Sequence, residues 1–192
     1  SASLALHWNS LRTPAADFSS LTERPGYLRL HLRPERLSEE TSPSFVGRRQ
    51  QHINFRAQAA LEFIPENANE YAGLALIQNH NFHYLFMVTQ SSQPVIRLTR
   101  RAHAGEEVLA EQVVTAGTLY LKVESRGQAY NFYFAEKPDE WRALAENIDG
   151  RILSTPVAGG FVGAYTAMVA SSNGQPSTNH ADFDWFEYYG IK

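Results

Sequence analysis

The stretch RRQQHINFRAQAALEFI, residues 48–64, decides the fold class of this chain. From residue 55 to residue 63, apolar side chains occupy every second position and polar side chains fill most positions between them. This period of two is typical of an antiparallel β-strand with one buried and one solvated face. Five polar residues, costly to bury, lead into the strand, and we expect them to meet a partner surface, a ligand or a polar network. We call them the polar pentad: Arg48, Arg49, Gln50, Gln51 and His52.

Patterns of the same period recur along most of the chain. Residues 71–78 are apolar on both faces, which predicts a central strand, and residues 82–90 return as its hairpin partner after a turn. Further strands are predicted at residues 95–99, 107–114, 119–123, 130–134, 161–170 and 181–189. Only residues 139–147 resemble a helix, and we expect no more than a short turn there. The spacing predicts an all-β fold of two antiparallel sheets packed as a β-sandwich.

Composition narrows the classes of partner and site. The length of 192 residues and the hydrophobic fraction of 43% are enough for one core, so we expect a single domain over residues 1–192. The net charge of −3 argues against a nucleic-acid partner.

No apolar run reaches the length of a transmembrane helix, and the opening SASL lacks the features of a signal peptide. We therefore expect no membrane partner and a cytoplasmic location. The chain contains no cysteine, so disulfides and thiolate metal sites are excluded.

Asp182 and Asp184 form the candidate carboxylate pair. On a regular strand they would share one face, roughly 6.5–7 Å apart between Cα atoms. Glycosidases place two carboxyl groups about 5–9.5 Å apart, and calcium prefers oxygen ligands, so catalysis and calcium binding both stay open. With Phe183 and Trp185 facing the core, the aspartates would instead face outward or pair with arginine. We expect this structural role or a structural calcium ion rather than catalysis, and no required cofactor.

Aromatic residues offer a second kind of candidate. Trp8, Trp141, Trp185 and the pair at 188–189 could build a platform on which sugars stack, although most aromatics of a sandwich belong to the core. Phe161 differs because it follows Ala-Gly-Gly at the start of a predicted strand. It could project outward from this loop or be the first core residue of the strand, and the pattern alone does not separate the two.

Several segments, in order along nearly the whole chain, carry a resemblance to a known family. They are WNSLR (8–12), RPGYLRL (24–30), RRQQH (48–52), AGL (72–74), HY (83–84), GFVGA (160–164) and ADFDWF (181–186). Together they resemble the C-terminal β-sandwich domain of glycoside hydrolase family 43 β-xylosidases and α-L-arabinofuranosidases. The resemblance implies a concanavalin A-like jelly roll that follows a catalytic five-bladed β-propeller.

The resemblance also implies a division of labour. The upstream propeller would hold the carboxylates of an inverting hydrolase, in which one acid protonates the leaving oxygen and a base activates water. The present chain would then be an accessory domain that does not hydrolyse glycosides alone. Xylo- or arabino-oligosaccharides would be ligands of the parent enzyme, and such domains often support homo-oligomers. Phe161 matches the aromatic that helps to close the sugar pocket in related enzymes, where it would exclude water.

Three interpretations of function follow from these observations. The first is the accessory domain of a family 43 enzyme, which packs on the propeller and helps to close its pocket. The second is a free-standing carbohydrate-binding module of lectin-like shape, and the third is a catalytic sandwich that uses Asp182 and Asp184. We favour the first. The polar pentad is then expected to be a structural polar seam, or the interface to the propeller, because arginine and glutamine supply several hydrogen-bonding groups each.

Overall fold

The structure, a computed structural model, describes residues 3–103, 105–160 and 163–192. Most of these residues lie in antiparallel strands. The strands are β1 (Ser19–Ser20), β2 (Leu28–His31), β3 (Ser44–Arg49), β4 (Phe55–Phe63), β5 (Tyr71–Asn79), β6 (Phe82–Gln90), β7 (Pro94–Ala102), β8 (Gly105–Val113), β9 (Gly117–Arg126), β10 (Ala129–Ala135), β11 (Arg142–Asp149), β12 (Tyr165–Ser171) and β13 (His180–Gly190). The helical segments are the 3-10 turns Ala15–Asp17 and Gly150–Leu153 and the α-helix α1 (Thr155–Ala158).

Two antiparallel sheets form the predicted β-sandwich. One sheet has the order β1-β2-β13-β4-β9-β10-β11, and the other has the order β3-β12-β5-β6-β7-β8. The main core lies between the sheets and includes every second residue of β4, as the alternation in the sequence predicts. A second apolar cluster covers the opposite face of the six-stranded sheet, which explains why β5 and β6 are apolar on both faces. None of the helices in the described ranges is long or apolar enough to cross a membrane.

The segment expected to be a short turn at residues 139–147 is instead largely a strand, so that prediction is wrong. β11 pairs with β10 through a register that shifts twice, and Leu144, Ala145 and Ile148 pack against the core. A strand at this position satisfies backbone groups of β10 that would otherwise lie at a sheet edge, and a short turn could not do so. The two irregularities disturb the period of two, which is why the sequence pattern is hard to recognise.

The polar pentad does not open β4, in contrast to the expectation from the sequence. Arg48 and Arg49 are the last residues of β3 in the six-stranded sheet. Residues 50–54 then cross to the seven-stranded sheet, where β4 begins at Phe55. The pentad therefore spans the connection between the two sheets. At such a position polar side chains can contact solvent and can also form hydrogen bonds with the backbone of the loop.

The expected orientation of Trp185 is also wrong, because β13 contains a bulge. Phe183 pairs with Leu61, but Trp185 pairs with Ala60, so Asp184 is an extra residue without a partner on β4. A bulge of one residue exchanges the faces of all side chains that follow it. Phe183 therefore faces the core and Trp185 the outer side of the sheet, whereas the side chains at 186 and 188 pack on the core.

His83 is a buried titratable group on β6, at 1% exposure. Burial lowers the pKa of its imidazole to about 4, from an ordinary value of 6.5, so the folded chain holds it neutral. Between pH 6.5 and pH 4 the imidazole is protonated in the unfolded state but not in the folded state, and this difference favours unfolding. The contribution of His83 to the free energy of unfolding is therefore fully present above pH 6.5 and is lost as the pH falls toward 4.

We expect the His83→Gln variant to have a flatter dependence of stability on pH than the unmodified chain. Between pH 7 and pH 5 the imidazole should contribute a loss of roughly 2 kcal/mol in the free energy of unfolding, by linkage. Urea denaturation at both pH values measures this loss. A dependence equal to that of the unmodified chain would contradict the lowered pKa of His83.

Candidate functional site

A groove at one end of the sandwich brings the polar pentad together with three other loops. It encloses about 340 Å³. We call it the end groove, and it is lined by residues 50–53, by Gly127, Gln128 and Tyr130, by Gly150, Leu153 and Ser154, and by Gly163 and Ala164. These segments connect strands of both sheets, so the groove lies where the two layers meet.

The tyrosine at position 188 fixes the pentad to the seven-stranded sheet. The backbone N–H groups of Gln51 and His52 both donate to the Tyr188 hydroxyl, at 2.9 and 3.2 Å. The guanidinium of Arg48 lies 4.4 Å from the centre of the Tyr188 ring. The same ring stacks on Phe55, with 5.2 Å between ring centres. One core-facing tyrosine therefore holds both the backbone and a cation of the pentad.

Gln50 connects the pentad to the remaining walls of the groove. Its backbone N–H donates to the Ala164 carbonyl at 2.8 Å, and its side-chain oxygen accepts from the Tyr130 hydroxyl at 3.2 Å. Its side-chain nitrogen donates to the His52 carbonyl at 3.0 Å. Arg49 donates to the Tyr165 hydroxyl at 3.1 Å. These contacts give the pentad a defined conformation, although most of its side chains are exposed.

The lining of the end groove combines exposed polar side chains with an exposed apolar one. Gln51 and His52 are exposed. Ile53 beside them is 74% exposed. Large apolar side chains beside ordered polar groups are typical of a surface that meets another protein or domain.

The segment 149–158, which precedes the loop before β12, is anchored to the core on one side of the groove. The Tyr84 hydroxyl donates to the Asp149 carbonyl at 2.7 Å, and Asn79 donates to the Ala158 carbonyl at 3.2 Å. Gly159 and Gly160 then have φ angles of 73° and 78°, a region that favours glycine. The predicted pocket-closing residue, Phe161, comes next and lies outside the described residues.

Asp182 and Asp184 do not share one environment. Asp182 is buried, and its oxygens accept from Arg29 at 2.8 and 2.9 Å and from Arg24 at 2.9 Å. Burial alone would raise the pKa of Asp182, but the hydrogen bonds from Arg29 and Arg24 outweigh it, and the pKa lies below its ordinary value. Asp184 is exposed at the bulge. The premise of a regular strand with both carboxylates on one face is therefore not met.

This arrangement favours an ionised, structural Asp182. A general acid requires a raised pKa, whereas two arginines hold this carboxyl in its charged form. Within the ranges that the structure covers, no group of three or more histidine, aspartate and glutamate side chains is placed to hold a metal ion. A structural calcium ion therefore stays a prediction from the sequence.

The Asp182→Asn variant should be clearly less stable than the unmodified chain. The change leaves two guanidinium groups without their shared anion, and we expect a loss of about 2 kcal/mol in the free energy of unfolding. This value is below that of a fully buried pair because the Arg24 side chain is 33% exposed. The matched control Asp184→Asn should stay within about 0.5 kcal/mol. Urea denaturation measures both, and equal losses would contradict the structural role of Asp182.

The aromatic candidates from the sequence separate into two groups. Trp141, Trp185 and Tyr189 belong to the outer side of the seven-stranded sheet, where Lys122 lies over the Trp141 ring. Trp8 instead packs against Phe186, and the tyrosine at 188 belongs to the end groove. The sequence did not reveal the contacts of that tyrosine with the pentad, because they depend on the register of β13 after the bulge.

Comparison with known proteins assigns the fold to a family. The sequence model described as "Beta xylosidase C-terminal Concanavalin A-like domain" matches residues 1–189. The chain belongs to this family. It is a domain of the family 43 xylosidase and arabinosidase group, with the concanavalin A-like sandwich that the sequence predicts.

Individual relatives agree with this assignment. A non-reducing end α-L-arabinofuranosidase of Bacteroides ovatus is 36% identical over 187 residues, which are 96% of this chain and 35% of the relative. A xylosidase/arabinosidase of Butyrivibrio fibrisolvens is 38% identical over 177 residues, 88% of this chain and 33% of the relative. The chain thus spans about a third of the length of these curated relatives.

Solved structures match over the whole chain. The structure described as Bacteroides ovatus xyloglucan PUL GH43B has a TM-score of 0.93 at 34% identity. That of the GH43 protein BlXynB from Bacillus licheniformis has a TM-score of 0.94 at 27% identity. In both cases all of this chain corresponds to 38% of the solved chain.

Proposed function

We propose that the chain is a non-catalytic accessory domain of a family 43 glycoside hydrolase of the β-xylosidase or α-L-arabinofuranosidase type. It packs on a catalytic domain through the end groove and thereby helps to close the sugar pocket of that domain. The observation that carries the proposal is the end groove itself, where an ordered polar pentad and the exposed Ile53 occur together. The length of the relatives supports it, since about two thirds of each lies outside the matched region.

The path of the N-terminal segment supports the end groove as the docking surface. Asn9 and Gly47 exchange two backbone hydrogen bonds, at 2.7 and 2.9 Å, so the segment runs beside β3. Gly47 directly precedes Arg48 of the pentad. Ahead of Asn9, Trp8 and Leu4 lie in a neighbouring groove with Leu28 and Phe186. In a parent of the relatives' length, a preceding catalytic domain would therefore join the sandwich along β3 and β13, the two strands that also contact the pentad.

The character of the lining fits an interface between domains. The exposed side chains of Gln51 and His52 can form hydrogen bonds across it, and Ile53 can bury apolar area. The backbone beneath them is already fixed by Tyr188 and by its own hydrogen bonds, so docking would cost little ordering entropy. Interfaces between domains of one chain are commonly of this mixed kind.

Docking at this end should couple the unfolding of the two domains. In an enzyme of the relatives' length, calorimetry should show one transition for the unmodified protein and two for Ile53→Asp, because the new carboxylate would lose its water at the interface. The matched control is Val113→Asp, at a valine that is 51% exposed on β8. It should keep one transition. Two transitions for the control, or one for both variants, would contradict docking at the end groove.

Phe161 is proposed to form an apolar wall of the sugar pocket in the parent enzyme. Its removal should admit water and loosen the bound sugar, so Phe161→Ala should lower kcat/KM for short xylo-oligosaccharides about tenfold, equivalent to roughly 1.4 kcal/mol. Phe161→Tyr keeps the ring and should retain most of the activity. Steady-state kinetics of the full enzyme measures both variants. Unchanged kinetics in Phe161→Ala would assign the residue to the domain's own packing.

A further inference from the structure

The outer side of the seven-stranded sheet carries a strip of aromatic rings that the proposed docking surface does not use. In the register of this sheet, Trp185 lies beside Ala60, Ala60 beside Tyr120, and Tyr120 beside Ala135. The two alanines are buried, at 1% and 0% exposure, although they point away from the core. The rings of Trp185 and Tyr120 are 6.2 Å apart between centres, with 33° between their planes. The aromatic rings therefore cover the alanines and form a shallow surface.

The strip continues across the next strand. The ammonium group of Lys122 lies 4.7 Å from the centre of the Tyr133 ring and 4.2 Å from that of Trp141. The Tyr133 hydroxyl donates to Glu146 at 2.9 Å. With a strand spacing of about 4.8 Å, the strip from β13 to β10 extends about 14 Å. Its rings are half-buried and braced by neighbours, so little side-chain entropy remains to be lost on binding.

Several polar residues beside the strip are held by contacts within the domain. Arg56 donates to Glu124 at 2.6 Å and to the Tyr189 hydroxyl at 2.8 Å. Gln58 donates to Glu187 at 2.7 Å. Arg24 and Arg29 are paired with Asp182. The strip itself holds one cation, Lys122, over two of its rings, and the exposed Asp184 and Glu187 lie beside it. The surface therefore lacks the clustered positive charge that a nucleic acid or an acidic peptide would require, and a neutral ligand fits it better.

We propose that this strip, formed by Trp185, Tyr120, Tyr133 and Trp141, binds a neutral β-linked polysaccharide of the xylan type. The C–H faces of pyranose rings are apolar and slightly positive, so they stack on the negative faces of aromatic rings. The hydroxyl groups at the edges of the sugar rings then remain free for water and for polar side chains beside the strip. A protein partner would favour deep pockets for its anchoring residues, and the strip is shallow. The names of the relatives refer to xylosidases, which supports xylan as the glycan.

Affinity electrophoresis of the 192-residue chain in gels with soluble arabinoxylan tests the proposal. The unmodified chain should be retarded, and Trp185→Ala and Tyr120→Ala should each raise the dissociation constant at least tenfold. Tyr120→Phe keeps the ring and should stay within about twofold. The matched control is Tyr189→Ala, on the same strand and face but two rows from Trp185, and it should also stay within about twofold. Gels with polygalacturonate, a charged polysaccharide, should cause no retardation.

A second measurement needs no variant. The chain has three tryptophans, and two of them belong to the strip. In NMR spectra of the unmodified chain, the indole N–H signals of Trp141 and Trp185 should shift on addition of xylohexaose, and they should shift more than that of Trp8, which packs against Phe186. No retardation and no shifts would overturn the proposal, as would equal retardation of all variants. Dimers in sedimentation that Trp185→Ala dissociates would also overturn it, because the strip would then join two copies. None of these outcomes depends on docking at the end groove.

Discussion

The bulge at Asp184 is the constraint on which both candidate surfaces depend. Without the extra residue, β13 would continue its alternation, and Trp185 would follow Phe183 into the core. The bulge instead lets Phe183 and Tyr188 both face the core, although they are five positions apart. Tyr188 can then accept the two backbone hydrogen bonds of the polar pentad, and Trp185 can join Tyr120 outside. Bulges often redirect side chains in this way next to functional sites.

The surroundings of the bulge make it stable in this position. Asp182, two residues before Asp184, accepts hydrogen bonds from Arg29 on β2 and from Arg24 in the loop before β2. These contacts fix β13 to β2 and to that loop. After the bulge, the side chain at 188 stacks on Phe55 at the start of β4. The strand is thus held on both sides of the irregular residue. A carboxylate between two guanidinium groups is expected to serve structure rather than to act as a general acid.

Local patterns of the sequence predicted the fold well and the site only in part. The alternation at 55–63 and the apolar runs of β5 and β6 were sufficient for the sandwich, because burial on one or both faces is encoded within each strand. The strand β11, the place of the pentad between the sheets and the outward Trp185 were missed. Each of these three features depends either on pairing with a strand that is distant in the sequence or on one extra residue in a strand. Neither kind of cause produces a periodic pattern in the sequence. The role of Phe161 stays a prediction from the family resemblance.

We propose that the sandwich docks on a catalytic domain through the end groove, and hydrogen exchange of an enzyme of the relatives' length, compared with that of the isolated chain, measures this docking. Exchange should be slower in the full enzyme for peptides that cover residues 50–54 and 150–158. It should be unchanged for residues 118–124 and 184–187, where the aromatic strip stays accessible. Protection of the strip together with unchanged exchange at the end groove would contradict docking at this end.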